Sequence, residues 1–163
     1  MITPSTTQAI NDMKATRMAV KTIVTSYISC ISRRDWNQIP TYFAPGANWW
    51  INGNPARVPQ AGDGSVADRL PNLPGLLGRF DIYSFDILNI IAESEKVVVE
   101  AKATGRGPLD LVYVNNVTMS FVLNGDGKIT SLREYPDYNE LNWVLGWFKE
   151  HNMSGNLTQE LAK

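Results

Sequence analysis

The chain has 163 residues, 44% of them apolar, which is enough for one hydrophobic core and too few for two ordinary domains. Its 15 basic and 16 acidic residues nearly cancel, so nothing in the composition marks a nucleic-acid or anionic-membrane partner. Cys30 has no second cysteine to pair with, Met1 to Lys14 lack the basic-then-apolar order of a secretion signal, and no apolar run approaches the roughly 20 residues of a membrane span. A soluble, cytoplasmic protein is the expectation.

From about Thr7 to Ser32, Met13, Val20, Val24, Tyr27 and Ile31 recur at helical steps and predict one face of a long helix. Asp35 offers an N-cap for a second, short helix over Trp36 to Phe43, which stops near Pro45-Gly46. Asn48 to Asn52 is a short aromatic strand. Gly53 to Gly64, rich in glycine and proline, predicts a loop placed to form a pocket rim. Ser65 to Leu77 predicts a short helix interrupted by prolines. Four strands follow, over Phe80 to Ala92, Lys96 to Gly105, Leu111 to Leu123 and Lys128 to Tyr135, with a turn at Asn124-Gly125-Asp126-Gly127. Successive hairpins imply an antiparallel sheet. Asp137 to Glu150 places Leu141, Val144, Leu145 and Phe148 at helical spacing, so a last helix packs back on the body. The ordered core is expected over about residues 8–152, with polar, frayed ends.

Three segments carry a resemblance. They are Tyr27-Ile28-Ser29-Cys30-Ile31-Ser32-Arg33-Arg34-Asp35-Trp36; Tyr42-Phe43-Ala44-Pro45-Gly46-Ala47 running into Trp49-Trp50-Ile51-Asn52-Gly53; and Asp126-Gly127-Lys128-Ile129 with Arg133-Glu134-Tyr135-Pro136-Asp137. In this order they resemble the nuclear transport factor 2-like superfamily, its SnoaL-like polyketide cyclase and ketosteroid isomerase-like branch above all, over Val20 to Trp147. The resemblance implies a single α+β domain: a cone-shaped, curved sheet wrapped around N-terminal helices, enclosing a central apolar pocket. That scaffold hosts isomerases, cyclases, dehydratases, epoxide hydrolases and plain binding modules, so the fold leaves the reaction open.

Tyr27 lies on the apolar face of the first helix. The resemblance to ketosteroid isomerase implies a phenol that donates to a developing oxyanion, and the alternative is a core tyrosine. The isomerase's proton-shuttling aspartate would fall at Ile51, next to Asn52, which has no useful pKa. Thr130, Leu132 and Glu134 share a strand face, so an inward Leu132 carries the Glu134 carboxyl into the apolar interior, where it would suit acid–base work. The alternative has Glu134 in solvent with Arg133 facing in, or the two forming surface pairs. Limonene epoxide hydrolase would need an arginine and a second aspartate on the preceding cavity strand, where this chain offers Ala101 and Ala103. Asn115 is the polar exception on the face shared by Tyr113, Val117, Met119 and Phe121; it either meets a ligand carbonyl or is structural, bonded to Tyr27 or Glu134. Asp137 is explained by N-capping as readily as by a site role. Strand alternation favours Trp49 inward over Trp50.

One histidine, His151, and one cysteine leave no zinc set, no histidine-pair dehydratase and no Ser-His-Asp relay. Gly62-Asp63-Gly64 is not a phosphate loop, so no metal and no cofactor are expected. The residues, taken with the resemblance, imply a metal-independent acid–base enzyme that isomerises, cyclises or rearranges an apolar polycyclic, polyketide- or terpenoid-like molecule, with Glu134, Tyr27 and Asn115 as catalytic candidates. Trp49, Ile51, Asn52, Tyr113, Met119, Phe121 and Asp137 are the substrate-binding candidates. An epoxide hydrolase or dehydratase, or a noncatalytic binding or dimerisation module, stays open. A homodimer is expected through the sheet face carrying Glu100, Lys102, Thr118 and Ser120.

Overall fold

The computed structural model of the chain describes residues 6–153; most of the expected frayed ends therefore lies outside the described residues. Helix α1 (Thr6–Arg33) buries Val20, Val24, Tyr27, Ile28 and Ile31 against the sheet. Each such aliphatic side chain contributes about 1.5–3 kcal/mol on burial. Met13, expected on the same face, is instead 51% exposed. The helix ends in a left-handed residue, Arg34 (φ 57°), with Asp35 N–H donating to the Cys30 carbonyl and Arg34 N–H to the Ile31 carbonyl. Glycine usually fills this capping position. Arg34 offsets the strain by donating to the carbonyls of Phe80 (2.6 Å) and Asp81 (3.0 Å), which ties the helix end to that distant corner of the chain.

The second helix expected over Trp36 to Phe43 shrinks to a 3₁₀ turn, Ile39–Tyr42. Pro40 removes a backbone donor there, so α-helical bonding does not propagate. Strand β1 (Phe43–Ile51) therefore starts earlier than expected and absorbs Pro45-Gly46 in an irregularity between Phe43 and Asn48. The proline-interrupted segment breaks into α2 (Val66–Arg69), a 3₁₀ turn (Leu70–Asn72) and α3 (Leu73–Leu77).

Strands β2 (Ile82–Glu93), β3 (Lys96–Arg106), β4 (Val112–Leu123) and β5 (Ile129–Tyr135) form the antiparallel meander. The sheet order is β1-β5-β4-β3-β2, a five-stranded curved sheet in a single α+β domain. One pairing departs from the antiparallel expectation: β1 runs parallel to β5, with Trp49 opposite Leu132 and Ile51 opposite Glu134. Phe80, expected to open β2, precedes the strand and is buried beneath it.

Alternation along β3 and β4 sends Val97, Val99, Ala101, Val117, Met119 and Phe121 into the core shared with α1. Helix α4 (Tyr138–Glu150) seats Val144 and Phe148 on a second cluster with Phe80, Ala103, Leu111 and Tyr113. On the opposite sheet face Glu100, Lys102 and Thr118 are exposed and Ser120 is partly so, while the Arg133 guanidinium lies 3.9 Å over the Trp50 ring. Among the described residues no helix is long and apolar enough to cross a membrane.

Candidate active site

Between the two clusters lies a cavity of about 190 Å³, walled by α1, the inner sheet face, α2–α3 and α4. Its apolar lining includes Ile31, Ile51, Leu76, Met119, Leu132 and Leu145, and its polar groups include Tyr27, Arg69, Tyr83, Tyr113, Asn115 and Glu134. A dry cavity of about 150 Å³ accepts benzene, so this volume suits one or two rings, below the roughly 300–1,000 Å³ of common ligand pockets.

Glu134 points inward, in the strand phase that Leu132 dictates, and Arg133 outward. The buried Trp49 indole donates to Glu134 Oε2 at 2.9 Å, while Oε1 takes no protein partner among the described residues. Burial pushes the Glu134 carboxyl above its usual range; the Trp49 hydrogen bond and the charge of Arg69 pull back against that. The result is a carboxyl held beside apolar walls with one oxygen uncommitted.

Arg69 closes the cavity from α2. Its guanidinium donates to the backbone carbonyls of Gln60 (2.6 Å) and Gly62 (2.9 Å), which pins the Gly53 to Gly64 segment over the site as its rim. Tyr138 holds the same rim from α4, donating to the Asn52 carbonyl and packing against Gly53, whose φ of 123° only glycine adopts readily.

Asn115 is fully buried and committed to the protein. Its Oδ1 accepts from Asp137 N–H (2.9 Å), and its Nδ2 donates to the Asp137 carbonyl (2.9 Å) and the Tyr113 hydroxyl (2.8 Å). It staples the β5–α4 corner, with partners other than Tyr27 or Glu134, and does not present a free amide to a ligand. Tyr113, accepting from Asn115, keeps its own proton to donate; burial pushes its phenol up to about 12. Tyr27 lines the cavity with its ring packed edge-on to Phe43 and Phe121. Burial, then the Glu134 charge, raises its phenol further still.

Trp49, Ile51, Tyr113 and Met119 therefore line the cavity together with Tyr27 and Glu134, and three other candidates do not. Phe121 is fully buried one layer behind, against Tyr27. Asn52 is exposed at the end of β1, because the chain turns out of the sheet there. Asp137 is exposed and caps α4, its Oδ1 accepting from Asn139 N–H at 2.9 Å. Residue-by-residue reasoning missed Arg69, Tyr83 and Tyr138. Tyr83 stood in a strand that carried no polar exception to flag it, and Tyr138 and Arg69 sat in helices read only for their apolar spacing.

A family model described as "SnoaL-like domain" matches residues 24–132, so the chain belongs to the SnoaL-like domain family. UPF0523 protein C of Dictyostelium discoideum is 26% identical over 126 residues, covering 73% of this chain and 81% of that protein. PrhC from Penicillium brasilianum superposes with a TM-score of 0.76 at 11% identity, covering 88% of this chain and 97% of the other. SalBIII, described as an epoxide hydrolase/cyclase-like enzyme in pyran ring formation in the polyether salinomycin, superposes with a TM-score of 0.61 at 18% identity, covering 74% and 92%. At these identities the structural likenesses establish the fold.

Proposed function

We propose that the chain is a cofactor-independent acid–base enzyme that isomerises, cyclises or rearranges a polyketide- or terpenoid-like cyclic molecule. The observation that carries this is Glu134: a carboxyl among apolar walls, its proton affinity raised by burial, one oxygen held by Trp49 and the other free. Glu134 removes a proton next to a ligand carbonyl and returns it elsewhere on the same molecule. Tyr27 and Tyr113 donate to the oxygen on which negative charge develops. Trp49, Ile51 and Met119 supply the apolar wall, and the cavity volume means that a polycyclic ligand inserts one or two of its rings.

Two features favour a proton shuttle over epoxide opening. Ala103 stands on the cavity wall where the hydrolase pattern needs a polar group, and among the described residues Glu134 is the one carboxyl that lines the cavity, so no second acid helps it to place a water. We place the protein in the cytoplasm, as a homodimer formed through the outer sheet face around Glu100, Lys102, Thr118 and Ser120.

The test is a panel of one- and two-ring β,γ-unsaturated ketones and cyclic epoxides, incubated with the purified chain and analysed by mass-resolved chromatography with deuterium exchange. The proposal expects exchange or double-bond migration on a ketone and its loss in Glu134→Gln. Ligand binding without turnover would assign the same cavity to a noncatalytic carrier.

A further inference from the structure

The loop before α2 contains Gly64, whose backbone φ is not in the left-handed region, so conformation does not explain a glycine there. Space does. A Cβ at Gly64 would lie 2.4 Å from Arg69 Nε and 2.8 Å from its Cζ and Nη2, far inside any van der Waals contact. The guanidinium therefore occupies the space that a side chain at position 64 would need. Its Nη1 and Nη2 are spent on the carbonyls of Gln60 and Gly62, and its Nε is buried with no partner. A buried donor left unpaired is costly, so packing and charge must hold this arrangement in place.

The groups around Glu134 supply the reason. Those that face it are Tyr27 from α1, Trp49 from β1, Arg69 from α2, Tyr83 from β2, Tyr113 from β4 and Tyr138 from α4. Five of the six are neutral near pH 7, four phenols and an indole. Arg69 alone among them carries a formal charge, and it makes no direct ion pair with Glu134 among the described residues, its Nη1 and Nη2 each donating to the rim.

We infer that Gly64 and Arg69 are positioning residues for Glu134: the missing side chain at Gly64 seats the Arg69 guanidinium, and the seated guanidinium is the fixed cation of the cavity, joining the rim to the site carboxyl. This rests on Glu134 being the working acid–base group. The direction of its effect is fixed by electrostatics: a cation nearby favours the carboxylate, so displacing it makes the carboxyl harder to ionise. Gly64→Ala is the diagnostic change, because the atoms nearest its added Cβ all belong to the far end of the flexible Arg69 side chain.

The readout needs no substrate. The Trp49 indole N–H is bonded to the carboxyl itself, so its ¹H–¹⁵N resonance follows the protonation of Glu134. Trp49→Phe identifies that resonance among the five tryptophans, and Glu134→Gln identifies the titrating group by flattening its pH response. The inference expects the midpoint to move to higher pH in Arg69→Gln, to move the same way in Gly64→Ala, and to move no further in the double variant than in Arg69→Gln. A parent-like midpoint in Arg69→Gln overturns it, as does a parent-like Gly64→Ala beside a shifted Arg69→Gln, or a double variant that sums the two shifts. Should Arg69→Gln fail to fold, an unchanged midpoint in Gly64→Ala overturns the inference alone. The titration is independent of turnover: a chain that binds without catalysis would still show these shifts, and a catalytic chain could lack them.

Discussion

The Trp49 indole on β1 donates to the Glu134 carboxylate on β5 across the parallel pairing of the sheet, at 2.9 Å. This bond joins the first strand of the chain to the last and fixes one carboxylate oxygen, so the remaining oxygen faces the cavity in a defined direction.

Replacing Glu134 with Gln keeps the shape and the acceptor for Trp49 but removes the proton. Turnover of whichever panel ketone the parent converts is expected to fall by roughly 10²–10⁴-fold with little change in ligand affinity. Rates within about threefold of the parent would remove Glu134 from the chemistry. Tyr27→Phe and Tyr113→Phe, each deleting one neutral donor, are expected to cost less individually.

The same substitution has an opposite effect on stability. Burial holds the Glu134 carboxyl above its unfolded-state value, so the native state binds this proton more tightly than the unfolded chain. Stability from this group is fully present below the unfolded-state pKa and is lost as pH rises through the folded one. Glu134→Gln and parent should melt together at acidic pH, and the variant should melt higher at neutral and mildly alkaline pH. Thermal melts across that range, showing a constant or reversed gap, would contradict a carboxyl raised by its apolar surroundings.

Asn115 is expected to matter for folding more than for ligand contact. Asn115→Ala strands the Asp137 N–H and carbonyl and removes a donor from Tyr113, at a cost of about 1–3 kcal/mol for the unpaired groups alone. Tyr113→Phe leaves both Asp137 bonds in place and should cost less. Urea denaturation of the two variants orders them, and equal midpoints would argue against the corner staple.

For the outer sheet face, equilibrium sedimentation at micromolar concentration should give a dimer, and Val98→Asp, placed among Glu100, Thr118 and Ser120, should give a monomer with the parent's fold. A monomeric parent would rule that interface out. Activity should also survive exhaustive chelation, since the described residues contain no cluster of three or more histidine, cysteine or acidic side chains able to hold a metal ion. Loss of turnover restored by added zinc would overturn that expectation.

Strand phase was the most legible part of this site. Period-two alternation placed Tyr113, Asn115, Val117 and Met119 on one face, and one inward leucine was enough to orient Glu134. Alternation could not distinguish the layer lining the cavity from the layer behind it, which is why Phe121 was expected at a wall it only supports. Asn52 and Asp137 were misplaced at strand ends, where the chain leaves the sheet and alternation loses its meaning. Arg69 was invisible for another reason: its place depends on two carbonyls and a bare Cα in a loop, contacts that no local pattern announces.

The tie between Tyr138 and the Asn52 carbonyl gives the cavity walls of two different kinds. The sheet wall is built from residues that also hold strands in register, so altering it risks the fold. The wall formed by α4 presents Leu141 and Leu145, both only partly buried and neither part of the ladder. Leu141 also packs against the second cluster, whereas Leu145 does not, so trimming Leu145 would enlarge the space while leaving every strand pairing intact, and the last helix is where ligand size can be re-cut at least cost to folding.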